Sequence, residues 1–127
     1  MQTTCADSIP RTIHQTITEV NLVNNEWMTY RTSDGSRVIE FYFVDCGPPD
    51  GWRIYILSRI FYRFRNASPH ATHRLHDHGE TYDYICWAGH IATLEQAKAI
   101  AALWADATAL YIRNGGSFDT IAARLQQ

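Results

Sequence analysis

The sequence predicts an α+β domain: an antiparallel sheet of about five or six strands packed against one long C-terminal helix plus a short final helix. Two observations predict this fold. Short β-branched and aromatic runs separated by turn signals fill the chain as far as Trp87. From Leu94 the apolar spacing becomes helical. Strands followed by helices favour an α+β fold over βαβ units, and short turns favour antiparallel pairing.

The 127 residues contain no linker, repeat or low-complexity tract, so we expect a single domain over 1–127. Residues 1–10 are predicted to form a flexible terminus. The Asp34-Gly35 pair predicts a hairpin, and Gly47 to Gly51 a sharp break. A long loop or irregular edge is expected over 59–69. Strands are expected over 11–23, 26–32, 37–45, 52–58, 71–76 and 81–87, the last two forming a hairpin.

The helical part has clear boundaries. Thr93 and Gln96 have the spacing of a capping box, and Gly115 supplies a left-handed C-cap. These signals predict a helix from Thr93 to Asn114. Ser117 is suited to cap a last short helix. Its inward-facing residues are predicted to be Phe118, Ile121 and Leu125.

The two faces of the predicted sheet differ. Ile39, Phe41 and Phe43 alternate along one strand and are expected to face the core. The other face is expected to stay open and to keep Tyr30, Tyr42, Tyr55 and Tyr82. Because an open aromatic face often meets a partner, we expect a homodimer or higher homo-oligomer.

The composition bounds the possible partners. A net charge of −2 gives no overall attraction to nucleic acid or membranes. No apolar run reaches the ~20 residues of a membrane span, and no signal peptide is recognised, so a cytoplasmic location is expected. Three widely spaced cysteines form no CxxC motif, and Cys46 and Cys86 are interpreted as small buried hydrophobes. No cofactor is implied, and common enzyme signatures are absent.

The charge is unevenly distributed. Lys98 is the only lysine, and the segment from Gly51 to His76 lacks Asp and Glu. The same segment carries five arginines: Arg53, Arg59, Arg63, Arg65 and Arg74. A guanidinium forks onto a phosphate better than an ammonium does, and interleaved aromatic rings can stack on bases.

This pattern favours non-catalytic binding of a phosphate-bearing ligand, a nucleotide or cyclic oligonucleotide. A structural alternative stays open, in which the aromatics pack inward while the arginines meet acids from elsewhere. Another alternative is a protein-binding inhibitor that docks this segment on a target. The predicted ligand-binding residues are Arg53, Arg59, Phe61, Tyr62, Arg63, Phe64, Arg65, Asn66, His70, His73 and Arg74.

Four histidines follow within nine residues, with two carboxylates beside them. Histidine and carboxylate are good zinc or manganese ligands. In a strand, however, His73 and His76 point to opposite faces, so the four histidines cannot all converge. We therefore predict no metal site from His70, His73, His76, His78, Asp77 and Glu80.

Two His-x-Thr triplets, His14-Gln15-Thr16 and His70-Ala71-Thr72, resemble the paired motif of the two-histidine phosphoesterases. In that family one histidine is the base, the other is the acid, and the hydroxyls hold the phosphate. The resemblance implies a phosphodiesterase that uses His14 and His70. The family builds its site from two similar strand–helix halves, whereas this sequence predicts one long helix near its end.

A second resemblance extends over more of the chain. The segments 51–58, 72–75, 84–87, 103–106 and 111–113 look like small uncharacterised proteins of phages and mobile elements. The resemblance implies an accessory, anti-defence role in the host cytoplasm. Such proteins include inhibitors that bind a bacterial immune nuclease and others that sequester cyclic-nucleotide signals.

Overall fold

The computed structural model describes residues 26–127, which form one five-stranded sheet and two helices. All strand pairs are antiparallel, in the order β1-β2-β3-β5-β4. The strand predicted over 11–23 and the terminus predicted over 1–10 lie outside the described residues. The α+β prediction is confirmed. The elements are β1 (Glu26–Arg31), β2 (Val38–Asp45), β3 (Trp52–Ile56), β4 (Arg74–Leu75), β5 (Tyr84–Ile85), α1 (Leu94–Asn114) and α2 (Phe118–Leu125).

The first three strands follow the alternation of the sequence. The β1–β2 turn is the predicted Asp-Gly hairpin, in which Asp34 accepts hydrogen bonds from the backbone and hydroxyl of Ser36. Ile39, Phe41 and Phe43 of β2 are buried against α1, as predicted. Isoleucines of β3 and β5 extend this core surface toward the other edge of the sheet.

The last hairpin is much shorter than predicted. Strands were expected over 71–76 and 81–87, but β4 and β5 have two residues each. One reason is the backbone of His73, whose φ of 55° takes it out of the extended region just before β4. Residues 57–73 contain no helix or strand, so the irregular segment includes the loop predicted over 59–69 and extends into both neighbouring predicted strands.

Helix α1 begins and ends where its capping residues predict. The Thr93 hydroxyl accepts a hydrogen bond from the Gln96 backbone, and the Gln96 side chain accepts one from the backbone of Ala92. At the other end Gly115, with φ of 76°, donates its N–H to the carbonyl of Tyr111. Small residues on its buried face let α1 lie close to the sheet.

Helix α2 is capped by Ser117, whose hydroxyl accepts a hydrogen bond from the Thr120 backbone. Phe118 is buried and Ile121 is half-buried against the core, as predicted. The prediction for Leu125 is wrong, because its side chain is exposed at the last turn. That turn extends past the core.

The aromatic face predicted to be open is not open. Tyr42 and Tyr55 do lie on the face opposite α1, but both are fully buried in a small cluster with Val44. Tyr30 lies on the α1 side, where its hydroxyl donates to the carboxylate of Asp106. The reason for expecting a homodimer is therefore wrong, while the oligomeric state itself stays a prediction.

One cysteine prediction is also corrected. Cys46 is disulfide-bonded rather than a small buried hydrophobe, whereas Cys86 is a free, half-buried thiol. The cytoplasmic location stays a prediction. Among the described helices, none has the length and apolar character needed to cross a membrane.

Candidate functional site

The candidate site is the loop 57–73, which α1 holds in place at three points. Arg65 donates hydrogen bonds to the carbonyls of Ile112 and Arg113, at 3.1 and 3.0 Å, and so satisfies the C-terminal end of α1. The Tyr111 hydroxyl donates to the carbonyl of Asn66 at 2.8 Å. The Trp104 indole donates to the carbonyl of Thr72 at 3.0 Å. The loop is irregular in its backbone and fixed in its position.

Arg53 lies away from this loop, on the sheet face opposite α1. Its guanidinium is 2.8 Å from the carboxylate of Asp77 and stacks over the ring of Tyr84, 3.9 Å from the ring centroid. It also donates to the hydroxyl of Tyr55 at 3.3 Å. Only 10% of its side chain is exposed. Arg53 therefore stabilises the last hairpin, and we place it outside the candidate site.

Arg74 lies at the base of the loop and has three hydrogen-bond partners. It donates to the hydroxyl of Thr72 and to the carboxylate of Asp83, both at 2.8 Å, and to the carbonyl of Ala67 at 2.6 Å. Its guanidinium also lies over the ring of Tyr62, 5.1 Å from the centroid. Arg74 therefore fixes the loop against the residue that precedes β5.

The tip of the loop presents the remaining basic and aromatic side chains to solvent. Phe61 and Phe64 are 77% and 98% exposed. Arg59 and Arg63 are exposed, and neither forms an ion pair with any residue from 26 to 127. Tyr62 is buried beneath them, so it is not free to stack on a ligand.

A cleft of about 550 Å³ opens beside Arg59. Arg59 and Arg74 both line it, as do the hydroxyl-bearing residues Ser58 and Thr81 and the ring of Tyr82. Its one acidic lining residue, Asp83, is already bound to Arg74 and His76. We call this the Arg59 cleft. It combines a basic rim, hydroxyls and an aromatic ring in one place.

A smaller depression of about 180 Å³ lies on the other side of the loop tip. Three arginines line it: Arg37, Arg63 and Arg113. Asp34 is 3.7 Å from Arg113 and only partly offsets this positive charge. Arg63 has φ of 60°, an uncommon conformation for a residue other than glycine. Sequence reasoning missed Arg37 and Arg113, because the hairpin turn and the end of α1 bring them to the loop from distant positions.

The histidines do not meet in one site. His70 is exposed, whereas His73 contacts Asp119 of α2, with 2.5 Å between Nε2 and Oδ1. His76 is paired with Asp83. Within residues 26–127, no three His, Cys, Asp or Glu side chains are grouped as a metal site would require.

The His-x-Thr resemblance is tested in only one half. His14 lies outside the described residues. Thr72 is fully buried, with its hydroxyl donating to the carbonyl of Ser68 and accepting from Arg74. That hydroxyl is therefore not available to a phosphate. The phosphodiesterase stays a prediction, without support from this triplet.

The two acidic residues near the histidines, Asp77 and Glu80, accept hydrogen bonds from side chains on the sheet face opposite α1. Asp77 accepts hydrogen bonds from Arg53 and from the hydroxyl of Tyr84, and Glu80 accepts one from the hydroxyl of Tyr55 at 2.7 Å. Burial, and then the hydrogen bond to Asp77, raises the pKa of Tyr84 to about 12. Burial, and then the hydrogen bond to Glu80, also raises the pKa of Tyr55 above its usual value. Both phenols stay protonated near neutral pH and act as donors.

No protein-family model matches this chain, and comparison with curated proteins and with solved structures finds no relative.

Proposed function

We propose that this chain binds a phosphate-bearing ligand, a nucleotide or cyclic oligonucleotide, and does so without turning it over. The Arg59 cleft carries the proposal. Its volume of about 550 Å³ lies within the range of about 300–1,000 Å³ that is usual for ligand pockets. Its rim carries Arg59, a guanidinium without an acidic partner from residue 26 onward.

The electrostatics favour an anion at Arg59 rather than deeper in the cleft. Arg74 already has a carboxylate partner in Asp83, so it contributes a fixed hydrogen-bonding wall rather than free charge. Arg59 has its full charge to offer to a phosphate. The hydroxyls of Ser58 and Thr81 are suited to hydrogen-bond a ribose or a second phosphate oxygen.

Aromatic side chains beside the cleft are suited to the base. Tyr82 lines the cleft, and Phe61 follows Arg59 by two residues with its ring exposed. Stacking on a base contributes about 1–3 kcal/mol and tolerates any base. The depression of Arg37, Arg63 and Arg113 offers a second place for phosphate on the same loop.

A thermal-shift screen against mononucleotides and cyclic di- and trinucleotides, followed by calorimetry on any hit, tests this function. Ligand at a hundredfold excess over its Kd adds about 2.7 kcal/mol of stability, which gives a clear rise in Tm. Arg59→Ala should raise the Kd about 10- to 100-fold with an unchanged Tm in the absence of ligand, since a charge-assisted hydrogen bond contributes about 1.5–3 kcal/mol.

Arg124→Ala is the matched control, because Arg124 is an exposed arginine on α2 that lines neither basic site. Its Kd should equal that of the wild-type protein. The ligand should be recovered chemically unchanged after prolonged incubation with the protein. A screen without any shift, or an Arg59→Ala variant that binds as tightly as wild type, would overturn the proposal.

The exposure of Phe61 and Phe64 favours a second candidate, an inhibitor that binds a protein such as a bacterial immune nuclease. Aromatic and arginine side chains are enriched in protein interfaces, and two phenylalanines that are 77% and 98% exposed have that chemistry. Here Phe64→Ala should abolish inhibition of nuclease cleavage, while Arg59→Ala leaves it largely intact. The opposite ranking of the two variants would favour the nucleotide ligand.

A further inference from the structure

A second cavity lies away from both basic sites. It has a volume of about 310 Å³ and lies between three parts of the fold: the residues that follow β5, helix α1 and helix α2. None of its lining residues lines the Arg59 cleft or the arginine depression. A ligand of this cavity would therefore be independent of the proposed nucleotide binding.

Flat rings form much of the wall of this cavity. Trp87, Trp104, Phe118 and His73 line it, with the rings of His73 and Phe118 5.1 Å apart and those of Trp104 and Phe118 6.4 Å apart. The Trp104 ring is fixed by its hydrogen bond to the carbonyl of Thr72. A ring that is already fixed when a ligand arrives lowers the entropic cost of binding.

The charge-bearing side chains of this cavity are paired with each other. Its two charge-bearing residues are His73 and Asp119, and they contact each other, with 2.5 Å between Nε2 and Oδ1. The remaining lining side chains are apolar apart from Cys86 and Gln126. A charged ligand would lose its hydration here without gaining an unpaired opposite charge.

His73 adopts an unusual backbone conformation to reach this position. Its φ of 55° lies in the left-handed region, which costs energy for a residue with a side chain. Its carbonyl accepts a hydrogen bond from the backbone of Cys86, another lining residue, at 2.9 Å. Strain of this kind persists where the surrounding structure imposes it, and it is concentrated at ligand sites.

We propose that this cavity binds a small, uncharged, planar aromatic molecule. An engineered apolar cavity of about 150 Å³ accepts benzene, so a cavity of about 310 Å³ is suited to a molecule of two fused rings. Four ring-bearing residues in the lining favour a flat aromatic ligand over a branched aliphatic one. The paired side chains of His73 and Asp119 leave a polar edge for one hydroxyl or amine of the ligand.

Calorimetric titration with 2-naphthol tests the site, and 2-naphthalenesulfonate is the matched charged probe with the same rings. We expect saturable binding of one 2-naphthol per chain and a shift in tryptophan emission, because Trp87 and Trp104 line the cavity. The sulfonate should bind at least tenfold more weakly. Equal affinity for the two probes, or no saturable binding of 2-naphthol, would overturn the proposal.

Two variants locate the binding. Ala123→Trp fills the cavity from α2 and should abolish 2-naphthol binding, whereas Thr120→Trp adds the same ring to an exposed position of α2 that does not line the cavity. If Ala123→Trp melts at a lower temperature, Ala88→Trp fills the cavity from an exposed residue of the other wall. Unchanged binding in a folded cavity-filling variant would refute the location. Nucleotide binding at the Arg59 cleft should be unaffected in all three variants.

Discussion

Replacing Arg53 with methionine tests whether this arginine stabilises the hairpin of β4 and β5 or binds ligand. The substitution keeps the apolar part of the side chain and removes the guanidinium. The guanidinium contacts the carboxylate of Asp77, the hydroxyl of Tyr55 and the ring face of Tyr84. We therefore expect a loss of folding stability, with ligand binding by the folded protein unchanged.

The size of the loss follows from burial. The side chains of Arg53 and Asp77 are 10% and 24% exposed, so removal of one partner leaves a mostly buried charge. Breaking a buried pair in this way costs about 3–5 kcal/mol. Asp77 keeps the hydrogen bond from the hydroxyl of Tyr84 and some contact with water, which places the expected cost at about 3 kcal/mol.

Urea unfolding at neutral pH measures this difference, with Arg59→Met as the matched control. Arg59 is exposed and lacks an acidic partner in the described chain, so its substitution should change the free energy of unfolding by less than about 0.5 kcal/mol. Adding Asp77→Asn to Arg53→Met should recover part of the loss, since the uncompensated charge is removed. A loss below about 1 kcal/mol for Arg53→Met, or strictly additive costs in the double variant, would refute the reasoning.

Three further predictions concern the described part of the chain. Hydrogen bonds from Ser36 lower the pKa of Asp34 from 3.8 to about 2. The stabilising effect of Asp34 is therefore present above pH 4 and is lost as the pH falls toward 2. In urea unfolding at a series of pH values, Asp34→Asn should show a smaller loss of stability between pH 4 and pH 2 than the wild-type protein. The pKa of Tyr84 is raised to about 12, so stability should fall as the pH rises from 10 to 12, and less so in Tyr84→Phe. Gly51→Ala should lower Tm far more than Gly35→Ala: both glycines have φ near 80°, but an added Cβ at Gly51 would lie 2.4 Å from the carbonyl oxygen of Ile91, whereas Gly35 has open space.

Local signals predicted the helices and the first hairpin well. The capping pair at Thr93 and Gln96, the glycine at 115 and the Asp34-Gly35 turn act within a few residues, so their effect is visible in the sequence. The last hairpin was predicted too long because its geometry depends on distant partners. His73 leaves the extended conformation to reach Asp119 of α2, which no local pattern records.

The candidate site shows the same division. The segment from 51 to 76 has no Asp or Glu of its own. In the structure Arg53 pairs with Asp77 and Arg74 pairs with Asp83, and Arg65 donates hydrogen bonds to backbone carbonyls of α1. These partners lie from 9 to 48 residues away along the chain. Sequence composition identified the basic segment, while only the three-dimensional structure separates the arginines that maintain the fold from those at the loop tip.

The tethering of the loop 57–73 has an evolutionary consequence. Substitution of Arg65 or Arg74 should be costly, because each satisfies backbone carbonyls. Phe61, Arg63 and Phe64 stand outside this framework and are exposed, so they can be exchanged with little loss of stability. Such a loop separates the residues that keep its shape from the exposed residues that would contact the proposed ligand. A descendant protein could change specificity at the tip in single mutational steps while keeping the same fold.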